Sequence, residues 1–433
     1  MKAILHNRSL LLLGLAESIS NIGNWVTVMA IYAIVVFHGD GGVAESSAVM
    51  LAGLGPMLIF SPVAGWLSDR FDRKWLMISS QVLSALPIIA IIVAGPGPLI
   101  YLFLALQTAF TTLMLPARQA VVPLLVPQSE LARANALLQQ TNSFVKIGGP
   151  ILGGVIVGLL GAGHAMLLDV VSFTLAAVVL LWLPPLPPPR PAAKGAATTS
   201  SASEGDSPPR RPDSILGVLR HSAPLRLLFL SIFVAIVAIM GFDVLGSLYV
   251  RDVLLAQEGL FGLLIGLIGL GSLLSAGWLM LRRRPRNPWQ DLAWGLLLLS
   301  GIPLLMAAGF WVGDPRPAKW LVAFALLLGG LGNGLVSVQV WTLLQALSPP
   351  ARLGRMGGLF QSSVAAAQLT TILATPWLVP ARLSIGQYFT LSAAILMLLA
   401  LALFATWRGL PAAAAESAAA ESFRRGSSLE ADT

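Results

Sequence analysis

The sequence predicts an all-α membrane protein made of two related bundles of six helices. Of its 433 residues, 56% are hydrophobic and 11% are charged, and the mean hydropathy is +0.81, whereas soluble globular proteins are about 25% charged. Apolar windows of about 20 residues, the length that crosses a bilayer core, can be placed twelve times. Patterns in the first half also recur in the second, which predicts two pseudo-symmetric bundles.

Short polar or charged segments separate the predicted spans. The first apolar stretch continues past Glu17 without a small-residue cleavage site, so we interpret it as a span and not as a secretory signal. The spans lie near residues 9–37, 47–67, 74–94, 98–116, 131–160, 164–183, 225–250, 259–281, 289–311, 319–345, 355–380 and 384–407.

Composition divides the chain into four parts. Residues 184–214 are rich in proline and serine and have no apolar face, which is typical of a flexible tether. The mostly apolar residues 215–219, flanked by arginines, predict a short helix on the membrane surface. We expect an N-terminal six-helix bundle (1–183), a cytoplasmic linker with a short amphipathic helix (184–224), a C-terminal six-helix bundle (225–407) and a disordered cytoplasmic tail (408–433).

Positive charges indicate the orientation of the spans. With both termini in the cytoplasm, most of the 27 lysines and arginines fall in cytoplasmic segments, as the positive-inside rule requires. Arg251, Arg316, Lys319 and Arg382 fall on the other side. An eleven-span arrangement would distribute these positive charges over both sides of the membrane, so the charge distribution favours twelve spans.

Two repeated patterns indicate an internal duplication. A GWL triplet followed by arginines occurs at residues 65–73 and again at 277–286. A second pattern, with Leu, Pro, Leu, Arg, Leu and Gln at matching positions, occurs at residues 125–139 and 347–361. Two copies of one membrane half-unit are typical of secondary transporters, so a duplicated transporter is the first hypothesis.

The most informative motif is a cluster of charges between the second and third spans. The segment GWLSDRFDRKWL (65–76) is expected at the membrane surface, because charged side chains are costly in hydrocarbon. We expect its glycine to allow close helix approach, its first aspartate to cap a helix or pair with an arginine, and its basic residues to stay in the cytoplasm. The motif residues are Gly65, Asp69, Arg70, Asp72, Arg73 and Lys74.

This segment resembles motif A of the major facilitator superfamily, Gly-x-Leu-x-Asp-Arg-x-x-Arg-Lys. The resemblance implies the major facilitator fold and a gating loop that latches the two halves together in one conformation, with Asp69 in a gating role. Many members have glycine where this chain has Asp72, and that departure is shared by the drug:proton antiporter branch that includes macrolide and enterobactin exporters. Segments 116–137, 219–226 and 333–359 resemble the same branch.

Residues 146–154 (KIGGPILGG) resemble the GPxxGG antiporter motif of the fifth span. A proline frees a backbone carbonyl, and glycines let neighbouring helices approach closely; a tightly packed helix with no mechanistic role is the alternative. The match is partial, because Ala136 and Val145 stand where the longer motif has glycine. The matching residues are Gly149, Pro150, Gly153 and Gly154.

Ionisable residues at membrane depth are candidates for coupling, because each costs about 2.5–3.5 kcal/mol on insertion scales and needs a partner or a wet cavity. Glu17 and Lys146 are predicted to interact across the N-terminal half, with Glu17 exchanging a proton; a static ion pair is the alternative. Asp243 is a second candidate, or else a residue of an outward-facing vestibule. Asp169, near the outer edge at His164, is predicted to be a solvated cap.

Amides, hydroxyls and a few aromatic rings are expected to line a central cavity that suits a bulky amphipathic solute. The fourth span offers no arginine, which many proton-coupled drug exporters have there, so coupling through such an arginine is in doubt. The predicted lining residues are Asn21, Asn24, Gln107, Thr111, Asn142, Asn333, Ser337 and Gln361, with Trp25, Tyr32, Trp341 and Phe360 as possible aromatic faces.

The motifs that the sequence lacks argue against several classes of protein. The sequence has no GxxxxGK[ST] phosphate loop, no spacing of His, Asp and Glu that suits an enzyme, no cysteine and only four isolated histidines. With the resemblance, this predicts a monomeric secondary transporter of the bacterial cytoplasmic membrane, without cofactor, metal or nucleic acid. We expect proton-coupled efflux of a hydrophobic or amphipathic small molecule, such as a drug, macrolide or siderophore. The alternatives are a lipid or metabolite transporter with another direction or coupling, or a non-transporting sensor.

Overall fold

The computed structural model describes residues 7–127, 131–186, 219, 222–282, 287–348 and 353–407. Most of the predicted surface helix (215–219) and the whole tail (408–433) lie outside these residues. The helices are α1 (Arg8–Tyr32, continued by the π-helical turn Ala33–Phe37), α2 (Val43–Arg70), α3 (Arg73–Ala94), α4 (Leu99–Thr111), α5 (Met114–Leu125), α6 (Leu131–Leu181), α7 (Ala223–Ile239), α8 (Gly241–Asp252), α9 (Glu258–Leu281), α10 (Pro288–Leu299), α11 (Gly301–Val312), α12 (Pro315–Leu347), α13 (Leu353–Leu378) and α14 (Ile385–Thr406).

Polar residues between the apolar runs determine where many helices begin. The first amides of a helix have no partner within it, and a side-chain oxygen just before the helix can accept their hydrogen bonds. Asp72, for example, accepts from the amides of Lys74 and Trp75 at the start of α3. The same type of cap is formed by Asn7, Ser222, Asn287, Asp314 and Ser384.

In the first half, α1 packs along α6, and α6 contains two antiparallel helices. The chain reverses at Gly161, whose φ of 77° lies in the left-handed region that favours glycine. Before the reversal, α6 runs beside α1, so that Gly149 lies against the ring of Trp25. After the reversal it runs back along the same helix, and Asp169 lies against Gly23.

Ten described helical stretches are long and apolar enough to cross a membrane. Three of these stretches combine two helices across a short turn: α4 with α5, α7 with α8, and α10 with α11. The reversal within α6 supplies both the fifth and the sixth predicted spans, and α13, with 26 residues, matches the eleventh. The predicted all-helical membrane fold is confirmed, while the count of twelve spans depends on these two assignments.

A matched pair of contacts reflects the duplication. The guanidinium of Arg70 lies 5.0 Å from the ring of Trp66, and that of Arg282 lies 5.0 Å from the ring of Trp278. Both arginines thus lie within cation–π distance of the tryptophan one helical turn earlier. The two copies of the sequence pattern therefore form the same tryptophan–arginine contact at a helix end.

The two halves approach each other closely where α6 crosses α9. A Cβ atom at Gly262 would lie 2.3 Å from the carbonyl oxygen of Pro150, and one at Gly266 would lie 2.3 Å from the side chain of Ile151. Small residues let two helix backbones approach at such crossings. The glycines of α9 therefore set the distance between the halves at this point.

Candidate functional site

Two neighbouring cavities of 670 and 450 Å³ lie inside the bundle. The larger, which we call the main cavity, is enclosed by α1, α2, α4 and α5 of the first half and by α8 and α9 of the second. The smaller, which we call the charged cavity, lies within the first half. Its lining includes Glu17, Arg118, Asn142 and Lys146.

All five predicted lining residues of the first half face these cavities. Asn21, Asn24, Gln107 and Thr111 line the main cavity, and Asn142 lines the charged cavity. The Gln107 amide donates to Asn24 Oδ1 at 2.8 Å, and the Asn21 amide donates to Asn142 Oδ1 at 3.2 Å. These hydrogen bonds hold the amides of three helices in fixed positions.

The predicted lining residues of the second half lie elsewhere. Asn333, Ser337 and Gln361 have exposed side chains and are outside the lining of both cavities. Asn333 instead donates to Ser272 Oγ at 3.0 Å. Of the predicted rings, Trp25 and Tyr32 line the main cavity, whereas Phe360 packs edge-on against Phe229 and Trp341. A polar face on a helix can line the cavity or lie on another surface of the protein. The sequence of the helix does not distinguish these two positions.

The central feature of the charged cavity is an ion pair. Arg118 Nη1 lies 3.0 Å from each carboxylate oxygen of Glu17, and the two side chains are only 15% and 12% exposed. Asn142 Nδ2 donates to Glu17 Oε1 at 3.2 Å. Each charge offsets the desolvation of the other, so removal of either would leave an uncompensated charge.

The predicted contact between Glu17 and Lys146 is wrong. Lys146 is exposed and lines the same cavity, but it forms no hydrogen bond or ion pair in the part of the chain that the structure describes. The apolar window of the fourth span ended at residue 116, which placed Arg118 in a cytoplasmic loop. In the structure α5 extends the span to Leu125, and the fourth span does contain an arginine.

Asp169 is not the solvated cap that its position predicted. Its side chain is 0% exposed, and its two carboxylate oxygens accept hydrogen bonds from Thr27 Oγ1 at 2.6 Å and Ser172 Oγ at 2.9 Å. Gly23 leaves the room for this contact, because a Cβ there would lie 2.2 Å from Asp169 Oδ1. Asp169 thus links α1 to the second part of α6.

Asp243 lies in the first turn of α8 and faces the main cavity. It is deep in the protein, yet its side chain is exposed to the cavity. No hydrogen bond or ion pair of its carboxylate occurs among the described residues. It therefore differs from Glu17 and Asp169, whose carboxylates are occupied by protein donors.

The antiporter-like motif packs against helices of both halves. Gly149 and Gly153 lie against Trp25, where a Cβ would come within 2.4 and 2.9 Å of its atoms. A Cβ at Gly154 would lie 3.2 Å from the Glu258 carbonyl oxygen and from the Cα of Gly262. The motif is therefore a close-packing surface that contacts α1 on one side and α9 on the other.

Hydrogen bonds between the halves gather at the end where α1 finishes. Arg251 Nη1 donates to the carbonyl oxygens of Val36 and Gly41 at 2.6 and 2.7 Å, and Ser46 Oγ donates to the Val244 carbonyl oxygen at 2.6 Å. We call these five residues the seal. No sequence motif marks the seal, because four of its partners are backbone oxygens or a serine hydroxyl.

At the other end, motif A is held within its own half. Lys74 Nζ donates to the carbonyl oxygens of Leu181 and Leu183 at 2.7 and 2.6 Å, so it caps the last turn of α6. The amide of Arg73 donates to the Leu186 carbonyl oxygen at 3.0 Å. The loop therefore joins the start of α3 to the end of α6.

Two expectations for motif A need correction. Arg73 is 6% exposed and not solvated, because α3 begins at this residue and packs on the end of α6. Gly65 has open space where a Cβ would be, with nothing within 4 Å, so it makes no close helix approach in this conformation. The side chain of Asp69 lies outside the described part of the structure, and its gating role stays a prediction.

Helical bundles that enclose cavities at membrane depth, with charged residues facing those cavities, are typical of membrane transporters. The family model of the Major Facilitator Superfamily matches residues 13–371. The chain therefore belongs to the Major Facilitator Superfamily and is a multi-pass membrane transporter.

Relatives of this chain include transporters of several descriptions. The uncharacterized MFS-type transporter YfiS of Bacillus subtilis (strain 168) is 26% identical over 374 residues, covering 84% of this chain and 85% of that protein. The enterobactin exporter EntS of Salmonella choleraesuis (strain SC-B67) is 27% identical over 329 residues, 72% of each. Macrolide efflux protein A of Streptococcus pyogenes is 27% identical over 167 residues, 37% of this chain and 41% of that protein.

Solved transporter structures share the fold. A POT family transporter in complex with 5-aminolevulinic acid superposes with a TM-score of 0.70 at 15% identity, covering 92% of this chain and 96% of that one. A bacterial homologue of the iron transporter ferroportin in an inward-facing state gives a TM-score of 0.66 at 20% identity, covering 93% and 98%.

Proposed function

We propose that this protein exports a hydrophobic or amphipathic small molecule by alternating access, driven by the proton gradient. The main cavity is the observation that carries this proposal. Its volume of 670 Å³ falls in the range of about 300–1,000 Å³ that is typical of small-molecule sites. Aliphatic side chains, rings and thioethers form more than half of its wall, while amides, hydroxyls and one carboxylate supply polarity, as suits a bulky amphipathic solute.

The direction is supported by the relatives. Both the enterobactin exporter and macrolide efflux protein A are named for efflux, and their solutes are far larger than a single sugar or amino acid. This transporter belongs in the bacterial cytoplasmic membrane with both termini in the cytoplasm, and it works as a monomer.

With that orientation, this conformation is open to the cytoplasm. The seal joins the halves at the outer end, and hydrogen bonds from Arg251 and Ser46 cross between the halves there. Motif A, at the cytoplasmic end, is bound to its own half. Alternating access would break the seal and bring the motif A loop, including Asp69, against the second half.

Coupling is assigned to the charged cavity. When Glu17 gains a proton, its attraction to Arg118 falls, and the helices that carry the two residues, α1 and α5, are free to separate. Lys146 lines the same cavity, so two positive side chains share it with the carboxylate of Glu17. Since Thr111 and Asn24 line both cavities, a change in the charged cavity alters the wall of the main one.

The test is uphill transport in inside-out vesicles from a host lacking its own efflux pumps. Candidate solutes are a cationic dye, a macrolide and a siderophore, each with an imposed proton gradient and with an uncoupler. We expect accumulation of at least one solute that the uncoupler abolishes. Flux that ignores the uncoupler would contradict proton coupling, and flux in the opposite direction would indicate uptake.

Two further outcomes separate the remaining alternatives. Movement of lipid or a metabolite, and of none of the solutes above, would assign the same fold to another cargo. Ligand binding by the purified protein, without flux in vesicles, would indicate a non-transporting sensor.

A further inference from the structure

Among the described residues, the carboxylate of Asp243 has no hydrogen-bond or ion-pair partner. A charge at membrane depth is costly, and such a residue normally faces a partner or a wet cavity. Glu17 is paired with Arg118 and Asp169 is bonded by two hydroxyls, but among the described residues nothing compensates Asp243. The cavity that it faces is therefore where a compensating positive charge can approach it.

The wall around Asp243 suits a positive charge with an apolar body. Trp25, Tyr32, Phe242 and Phe261 line the same cavity, and Tyr32 and Phe261 meet edge to face with ring centroids 5.4 Å apart. Aromatic rings attract organic cations, most strongly where water is excluded. The flexible thioethers of neighbouring methionines adapt to ligands of different shape.

Positive side chains are kept out of this cavity. The described lining of the main cavity contains one carboxylate and no lysine, arginine or histidine. Arg118 and Lys146 face the charged cavity instead. This separation of charge attracts a cation to the main cavity and disfavours an anion.

Asp243 also lies next to the seal. The residue that follows it, Val244, supplies the carbonyl oxygen that accepts the hydrogen bond from Ser46. A cation held at Asp243 therefore lies beside a contact that has to break before the outer end opens.

We infer that the main cavity binds lipophilic monovalent cations, either protonated amphipathic amines or quaternary ammonium and phosphonium ions, with Asp243 as their anionic contact. The inference deepens the proposed export function and rests on it, because it assumes that the transported solute occupies this cavity.

The test uses probes of matched size and opposite charge on the purified full-length protein. Tetraphenylphosphonium is the cation, tetraphenylborate the anion, and triphenylphosphine oxide a neutral relative. We expect the cation to bind and the anion to be rejected. Asp243→Asn should weaken cation binding by about tenfold or more, since a charged contact is lost, and should leave binding of the neutral probe unchanged.

Two variants complete the design. Asp243→Glu keeps the charge and should retain cation binding within a few-fold of the original. Asp314→Asn makes the same chemical change at the N-cap of α12, where asparagine caps as well as aspartate, and should bind like the original protein. Equal affinity of Asp243→Asn and Asp314→Asn for the cation would overturn the inference.

Charge selectivity keeps the inference testable even if Asp243→Asn does not fold. Equal binding of the cation and the anion by the unchanged protein would overturn it. Vesicles that accumulate neutral or anionic solutes, but not the phosphonium ion, would also overturn it while leaving the export function intact. Binding of the cation through Asp243, without uphill movement of any solute, would instead contradict the export function.

Discussion

Glu17 and Arg118 are 101 residues apart in the chain, yet one guanidinium nitrogen of Arg118 lies 3.0 Å from both carboxylate oxygens of Glu17. Both side chains are largely buried, so breaking the pair by removing one charge is costly, at about 3–5 kcal/mol for a fully buried pair. The cost of leaving one charge unpaired is lower at a cavity wall, because water reaches the charge there. The pair therefore holds α1 and α5 together at the wall of the charged cavity.

Glu17→Gln should abolish uphill export and spare solute exchange. Glutamine retains the size of glutamate but cannot bind and release a proton, so the proton gradient can no longer act through this residue. Uphill accumulation and counterflow would be measured in the same proteoliposomes. Glu45→Gln is the matched control, because Glu45 is exposed and its side chain accepts a hydrogen bond from the Gly42 amide, which a glutamine oxygen can also accept.

Undiminished accumulation in Glu17→Gln would refute the coupling role. Loss of accumulation and counterflow together, with a lower unfolding temperature, would show that the pair is a static brace.

Thr27→Val should destabilise the first half. The hydroxyl of Thr27 donates to Asp169 Oδ2 at 2.6 Å in a site that water does not reach, and the carboxylate oxygen would lose that donor. An unsatisfied buried group costs about 1–3 kcal/mol, which would appear as a lower unfolding temperature in detergent.

Thr174→Val is the control for that variant. Thr174 lies on the same helix as Asp169, but its hydroxyl is exposed and bonds only within the helix, to the Val170 carbonyl oxygen at 2.8 Å. Its effect should stay within about 0.5 kcal/mol. Equal destabilisation by the two variants would contradict a buried network at Asp169.

Apolar length and repeated patterns were sufficient to predict the helices and their duplication. The contacts of Trp66 with Arg70 and of Trp278 with Arg282 have the same separation, as the repeat implied. Length and hydropathy report how much of a segment is apolar. They do not report which face of it meets another helix. The predicted residues of the first half line the two cavities, whereas those of the second half lie outside both linings.

Apolar length and repeated patterns do not show which residues pair with the charged side chains. Arg118 was assigned to a loop because a charge ends an apolar window, although a buried glutamate on another helix compensates it. Asp169 was assigned to the surface by its distance from His164 along the chain. Both errors have one cause: charge compensation is a property of the packed bundle, and a single helix does not show it.

Arg251→Gln should open the seal. Glutamine is too short to reach the carbonyl oxygens of Val36 and Gly41, which Arg251 Nη1 approaches to 2.6 and 2.7 Å. The chain has no cysteine, so Val49→Cys can report the opening. Val49 is 4% exposed and lines the main cavity.

Labelling of that cysteine by a membrane-impermeant maleimide on intact cells should be about tenfold faster in the Arg251→Gln background, as expected from the loss of a charged hydrogen bond. Arg316→Gln removes another arginine that is predicted on the outer side, whose side chain is exposed, and should leave the rate unchanged. Equal rates in the two backgrounds would show that Arg251 does not hold the outer end closed.

The crossing of α6 and α9 should be intolerant of a single methyl group. In Gly262→Ala the new Cβ would lie 2.3 Å from the Pro150 carbonyl oxygen, and a backbone atom cannot rotate away as a side chain can. Overpacking of this kind costs about 1–3 kcal/mol, so we expect a lower unfolding temperature. Since the halves must separate to accommodate the methyl group, Val49→Cys should also be labelled faster.

Gly158→Ala makes the same change on α6 at a position where a Cβ meets nothing within 4 Å, and it should be neutral or slightly stabilising because alanine favours helix over glycine. If both alanine variants behaved alike, the close approach of Gly262 to Pro150 would not be what sets the spacing of the halves. If Gly262→Ala alone unfolded earlier but kept the original labelling rate, the crossing would be a structural contact that does not move with the seal.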